Sequence, residues 1–99
     1  MDIKIQAVQF SADQKLLDFI NLRVAKLNQY YDQIISCEIF LIVDKAATVG
    51  NKIVEIKLNI PGAELFAKKQ SSSFEESTDN SIEAIRRQLM KRKQKLAAV

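Results

Sequence analysis

Apolar residues recur at every second position along two long stretches in the middle of this chain, a spacing that only extended strands satisfy. In the first stretch Ile35, Cys37, Ile39, Leu41 and Val43 share one face, while Glu38, Phe40 and Ile42 share the other. In the second, Val54, Ile56, Leu58 and Ile60 oppose Glu55, Lys57 and Asn59. The segment Ala46–Asn51, with Gly50-Asn51, predicts the reversal between them. Pro61-Gly62 reads as a tight turn into a third strand through Leu65, Ala67 and Lys69. Residues 2–8 alternate too, with Ile3, Ile5 and Ala7 against Lys4 and Gln6.

The segments flanking these strands change period. After residue 10, Leu16, Ile20, Val24 and Leu27 follow the spacing of an amphipathic helix ending near Tyr30, with Ser11-Ala12-Asp13-Gln14 as its capping box. Ser73-Phe74-Glu75-Glu76 predicts a second capping box. Thr78, Ile82, Ile85, Leu89 and Leu96 then line one face of a helix reaching close to the C-terminus. Its first turns are acidic and its last turns basic, which suits the helix dipole at both ends. The order is β-α-β-β-β-α, an α+β fold. Each helix has one apolar stripe to cover, which predicts two helices packed side by side on one face of a four-stranded sheet. Residues 1–99 are expected to form a single domain.

Several chemistries have no residues to carry them. The chain has no histidine, the commonest general base and metal ligand, and no phosphate-cradling glycine loop or paired cysteines. Its one cysteine, Cys37, falls on the apolar face of a strand and is expected to be a buried structural thiol. An enzyme, a metal and a cofactor are therefore not expected. The longest apolar run, Ile39 to Val43, is far below the ~20 residues that span a bilayer. The N-terminus lacks a signal-peptide pattern, and a lone cysteine suits a reducing cytoplasm.

Charge is concentrated where chemistry is absent. Residues 84–99 hold Arg86, Arg87, Lys91, Arg92, Lys93 and Lys95 with no acid, a local +6; the remaining residues, nine basic and twelve acidic, sum to −3. Such a patch suits a polyanionic partner. Arg87, Lys91 and Lys95 recur at intervals of four and form a stripe, flanked by Arg86 and Lys93. On the first helix Lys15, Arg23 and Lys26 lie to one side of the apolar stripe with Phe19 and Leu22. Two adjacent helices are expected to merge these cations into one positive surface that follows phosphates. Phe19 and Leu22 are expected at the edge of the core, and Tyr30-Tyr31 packed over the sheet. Phe40 and Phe66 lack the spaced pattern of an RNA-recognition motif.

Three separated segments resemble one known family. Arg23-Val24-Ala25-Lys26-Leu27-Asn28-Gln29-Tyr30-Tyr31-Asp32, followed by Ile34-Ile35, is similar to the first-helix signature of the ribosome hibernation-promoting factors. That family includes the ribosome-associated inhibitors and is also described as sigma-54 modulation protein / S30EA ribosomal protein. The Ile60–Ala67 hairpin resembles the family's strand-turn-strand, and Arg87-Gln88-Leu89-Met90-Lys91, with Lys93 and Lys95, resembles its basic helix. Ala84, Glu75 and Gln29 depart from the family pattern: a basic residue is usual at the first and last, an aromatic at the second.

The resemblance implies a ribosome hibernation factor of the short form, without the C-terminal ribosome-dimerisation domain of longer members. It implies binding of the small ribosomal subunit at the mRNA/tRNA decoding channel, and reversible inhibition of translation in slow-growing, stationary-phase or stressed bacterial cells. Arg23, Lys26, Arg87, Lys91 and Lys95 are then the ribosomal RNA contacts, and Arg86 supplies the charge missing at Ala84. Lys15, Arg92 and Lys93 are secondary contacts. The implied partner is 16S-type RNA, with other hibernation factors beside it; DNA and membranes are not partners, and the chain is a monomer off the ribosome. A general double-stranded RNA-binding module is the alternative, and a docking domain for an acidic protein a third reading.

Overall fold

The computed structural model describes residues 1–97, and side chains through residue 94. Lys95 and Leu96 belong by backbone to the last helix, but their side chains lie outside the described residues. The elements are β1 (Asp2–Ala7), α1 (Gln14–Ala25), a 3-10 turn (Lys26–Gln29), β2 (Ser36–Val43), β3 (Lys52–Ile60), β4 (Ala63–Ser71) and α2 (Phe74–Ala97).

The four strands lie in the order β1-β2-β3-β4. β1 runs parallel to β2, since α1 carries the chain back across the sheet between them; the other pairs are antiparallel hairpins. In register, Ile5, Ile39, Ile56 and Ala67 form one row across the sheet, directed to the helices. α2 lies over β3 and β4, with α1 beside it on the same face. Ile20, Val24 and Leu27 from the first helix and Ile85 and Leu89 from the second are buried against Cys37, Ile39, Leu41, Val54, Ile56 and Leu58. Each such aliphatic side chain contributes about 1.5–3 kcal/mol on burial. The chain is thus an α+β fold with both helices on one face of the sheet.

Cys37 is fully buried, as its strand face requires; burial pushes its thiol up to about 12, with the charge of neighbouring Glu38 adding to the effect. The chain's two glycines stand where the backbone turns left-handed, Gly50 (φ 62°) between β2 and β3 and Gly62 (φ 80°) between β3 and β4.

Four local expectations need correction. The first helix is capped by Asp13 and not by Ser11: the Asp13 carboxylate accepts from the Leu16 amide at 2.9 Å. Gln14 is already helical there and donates to Asp18 instead. Phe10 stacks on Phe74 with ring centroids 5.3 Å apart, and the preceding Gln9 turns left-handed, so the chain enters the helix two residues late. In the second capping box only the forward half forms: Ser73 Oγ accepts from the Glu76 amide at 3.1 Å, while the Ser73 amide turns to Ser71 Oγ. Ile35 is 58% exposed despite its place in the alternation, because Ile34 enters the core as the chain turns into β2. Leu22 is 70% exposed on α1, while Phe19 does pack at the edge of the core.

Candidate nucleic-acid interface

The apolar stripe of α2 determines where its cations point. With Ser81, Ile85 and Leu89 buried, residues one position further on turn toward α1, and residues two to three further on turn toward solvent and β4. Arg86 accordingly faces α1. Arg86, Arg23, Lys26, Tyr30, Asp79 and Glu83 line a groove between the helices. Lys93, two turns further along the same side, borders a concavity with Tyr30, Tyr31 and the 3-10 turn.

Arg87 and Lys91 face the other way. Arg87 shares a groove with Lys69 of β4 and with Ala84, the departure noted above. Lys91 lies in a wider groove with Leu65, Gln88, Arg92 and Gln94. Gln88 ties this side of the helix to the sheet, donating to the Phe66 carbonyl at 2.8 Å. Lys15 is exposed in the first turn of α1, about 12 Å along the axis from Arg23, and joins none of these grooves. The structure therefore brings Arg23, Lys26 and Arg86 together and turns Arg87 and Lys91 toward β4, with Glu83 bordering both the groove of Arg86 and that of Arg87. Lys95 lies outside the described side chains.

Acids already engage part of this charge. Glu83 receives two hydrogen bonds from Arg86, at 2.9 and 2.5 Å, and an ion pair from Arg87 at 3.5 Å. The Arg86 hydrogen bonds hold the Glu83 carboxyl below the usual carboxylate range, with both guanidinium charges adding to the effect. Arg86 also lies over the Tyr30 ring at 5.7 Å, and its own proton is held more tightly by Glu83. Arg23 pairs with Asp79 across the helices at 3.7 Å and stacks over Phe19 at 4.7 Å. These pairs are surface-exposed and worth little in stability, but they fix the direction of the guanidinium groups. Among the described residues Lys26, Lys91 and Lys93 are exposed with no acid within ion-pair distance.

Arg92 is not a free surface cation. Its Nε is buried without a hydrogen-bond partner, and its guanidinium lies over the β3–β4 turn, where a Cβ on Gly62 would approach Nη2 to 3.5 Å. Lys69 was missed as a site residue. Its alternation places it on the helix-bearing face with Ala67, which reads as a core position. At the edge strand, however, that face is open beside α2, and Lys69 is exposed. No signal in the sequence marks which strand becomes the edge. Among the described residues no group of His, Cys, Asp and Glu could hold a metal ion, and no helix is long and apolar enough to cross a membrane.

Residues 3–97 match the family described as Sigma 54 modulation protein / S30EA ribosomal protein. The chain is 28% identical over 96 residues to the ribosome hibernation promoting factor of Escherichia coli (strain K12), covering 97% of each protein. It is 25% identical over 95 residues to the factor of the same name from Azotobacter vinelandii, covering 96% of this chain and 85% of that one. Among solved structures, a ribosomal subunit interface protein from Coxiella burnetii superposes with a TM-score of 0.85 at 20% identity, over 95% of this chain and 99% of that one. The N-terminal domain of Protein Y from Thermus thermophilus does so with a TM-score of 0.75 at 18% identity, over 90% and 96%. At these identities the two structures speak for the fold.

Proposed function

This chain belongs to the Sigma 54 modulation protein / S30EA ribosomal protein family, and from that premise we propose that it is a hibernation factor occupying the decoding channel of the small ribosomal subunit. The family is one of non-enzymatic ribosome-associated proteins, and the relatives named above are ribosome hibernation promoting factors. The chain binds where messenger RNA and transfer RNA meet the small subunit, through phosphates of 16S-type RNA, and holds translation off reversibly in slowly growing cells. It acts in the cytoplasm as one ribosome-binding domain, a monomer when off the ribosome.

One observation carries this reading: the exposed cations of α1 and α2 gather on the helical side of the domain, on a scaffold that matches the family from residue 3 to residue 97. Arg supplies forked contacts to phosphate oxygens and Lys compact charges, neither requiring a particular base. Arg23, Lys26, Arg87 and Lys91 are the direct contacts, with Lys93 beside the tyrosines and Arg86 oriented by Glu83.

Co-sedimentation with isolated small subunits tests it. The wild-type chain is expected to pellet with them at low salt, and Arg87→Glu/Lys91→Glu to remain in the supernatant. Unchanged pelleting of that variant removes these two residues from the interface. Tight binding to plain RNA duplexes without affinity for subunits would favour a general duplex-binding module instead.

A further inference from the structure

Arg86 and Lys93 of α2 join the cations of α1 while Arg87 and Lys91 turn to the β4 side, and we infer that α2 lies between two separate backbone segments of folded RNA, one on each flank. This rests on the RNA partner proposed above. One flank faces α1, where Arg23, Lys26 and Arg86 line a single groove and Lys93 continues it past the 3-10 turn. The other faces β4, where Arg87 and Lys69 share a groove and Lys91 continues toward the β3–β4 hairpin.

Glu83 is the ridge between the flanks. It borders both grooves, and its carboxylate takes Arg86 from one side and Arg87 from the other. With both guanidinium groups on it the carboxylate is more than neutralised, so what parts the two tracks is the body of α2, with Lys26 on one side and Lys69 on the other.

The separation of the flanks selects the kind of RNA. A helix with its side chains is about 10–12 Å across, so Lys26 on the α1 side and Lys69 on the β4 side stand about that far apart, while Arg86 and Arg87 meet at Glu83 on the crest between them. The major groove of an A-form duplex is too deep and narrow to admit such a body, and the minor groove is shallow and open. A plain duplex therefore cannot take the body of α2 between its strands and presents its phosphates from one side of the domain. Phosphates on both sides of α2 are met where a folded RNA brings strands from different helices side by side.

Two variants separate the flanks on isolated small subunits: Arg23→Gln/Lys26→Gln/Lys93→Gln on the α1 side and Lys69→Gln/Arg87→Gln/Lys91→Gln on the β4 side. All six side chains are exposed, so the fold should survive. Thermal melts check this, and the single reversals Lys26→Glu and Lys91→Glu serve if a triple variant unfolds. Hydroxyl-radical footprinting of the RNA is expected to show two protected sets of nucleotides. Each variant should lose one set and keep the other, and each should lower the slope of log affinity against log salt by about 2–3. Loss of the same nucleotides in both variants, or an unchanged footprint in either, overturns the two-flank arrangement while ribosome binding stands. Absence of any protection by the wild-type chain removes the functional reading, and the two-flank arrangement with it.

Discussion

Cys37 stands directly between Ile3 of β1 and Leu58 of β3 in the sheet register, facing the helices with no accessible surface. Its thiol is pushed from an ordinary value of 9.0 up to about 12 because burial disfavours the thiolate. The folded state therefore holds the proton more tightly than the unfolded state does. The corresponding stability is complete below pH 9 and is lost as pH rises toward the folded value, by up to about 1.4 kcal/mol per pH unit. Denaturant unfolding from pH 8 to 11 should show this decline in the wild type, less the part retained by Cys37→Ala, which keeps only the contribution of the other titrating groups. Equal slopes in the two proteins would show that Cys37 is not the cause. The same residue was legible from sequence as a structural thiol, since alternation alone placed it on the core face. Ile35, two positions earlier on that face, was not. Its exposure depends on how the chain emerges from the 3-10 turn, and alternation carries no information about where a strand begins.

At the scale of elements, the link between the β3–β4 hairpin and the end of α2 shows how local rules and packing divide the work. Pro61-Gly62 predicts a turn from sequence, and Gly62 takes the left-handed backbone at φ 80° that such a turn requires. Arg92 then lies over that turn. In Gly62→Ala the new Cβ would meet Nη2 at 3.5 Å, an ordinary contact, so the cost should come from the backbone alone, about 1–2 kcal/mol. A double variant Gly62→Ala/Arg92→Ala should show that cost unchanged in chemical denaturation relative to Arg92→Ala. Relief of the cost would mean that a clash with Arg92, and not the backbone, was responsible. The helices divide in the same way. The apolar period set the span of α2, whereas Ser77 and Ser81 donate from it to the Lys52 and Val54 carbonyls of β3, contacts that no periodicity foretells.

At the scale of the molecule, binding is governed by how many phosphates the domain meets at once. Five or six contacts predict a log–log salt slope of about −3.5 to −5, a loss of roughly 100- to 1000-fold in affinity between 50 and 200 mM salt. Filter binding or sedimentation across that range checks this, and a nearly flat dependence would exclude a phosphate-dominated interface. The sequence by itself determined the elements, the face each buries and the basic character of the last helix, because periodicity and local charge are properties of neighbouring residues. It also carried enough of the family pattern to point to the ribosome. Only the tertiary structure decided the direction of the cations. Arg86 and Arg87 are adjacent in the chain, yet a helix turns by 100° per residue, so one faces α1 and the other β4. Lys69, far away in sequence, joins Arg87 because β4 is the edge strand beneath α2. Which strand forms the edge and which helix lies over it are settled by long-range packing of the apolar faces, and those contacts left Arg87 and Lys91 on the β4 side and turned the flanking Arg86 and Lys93 toward α1.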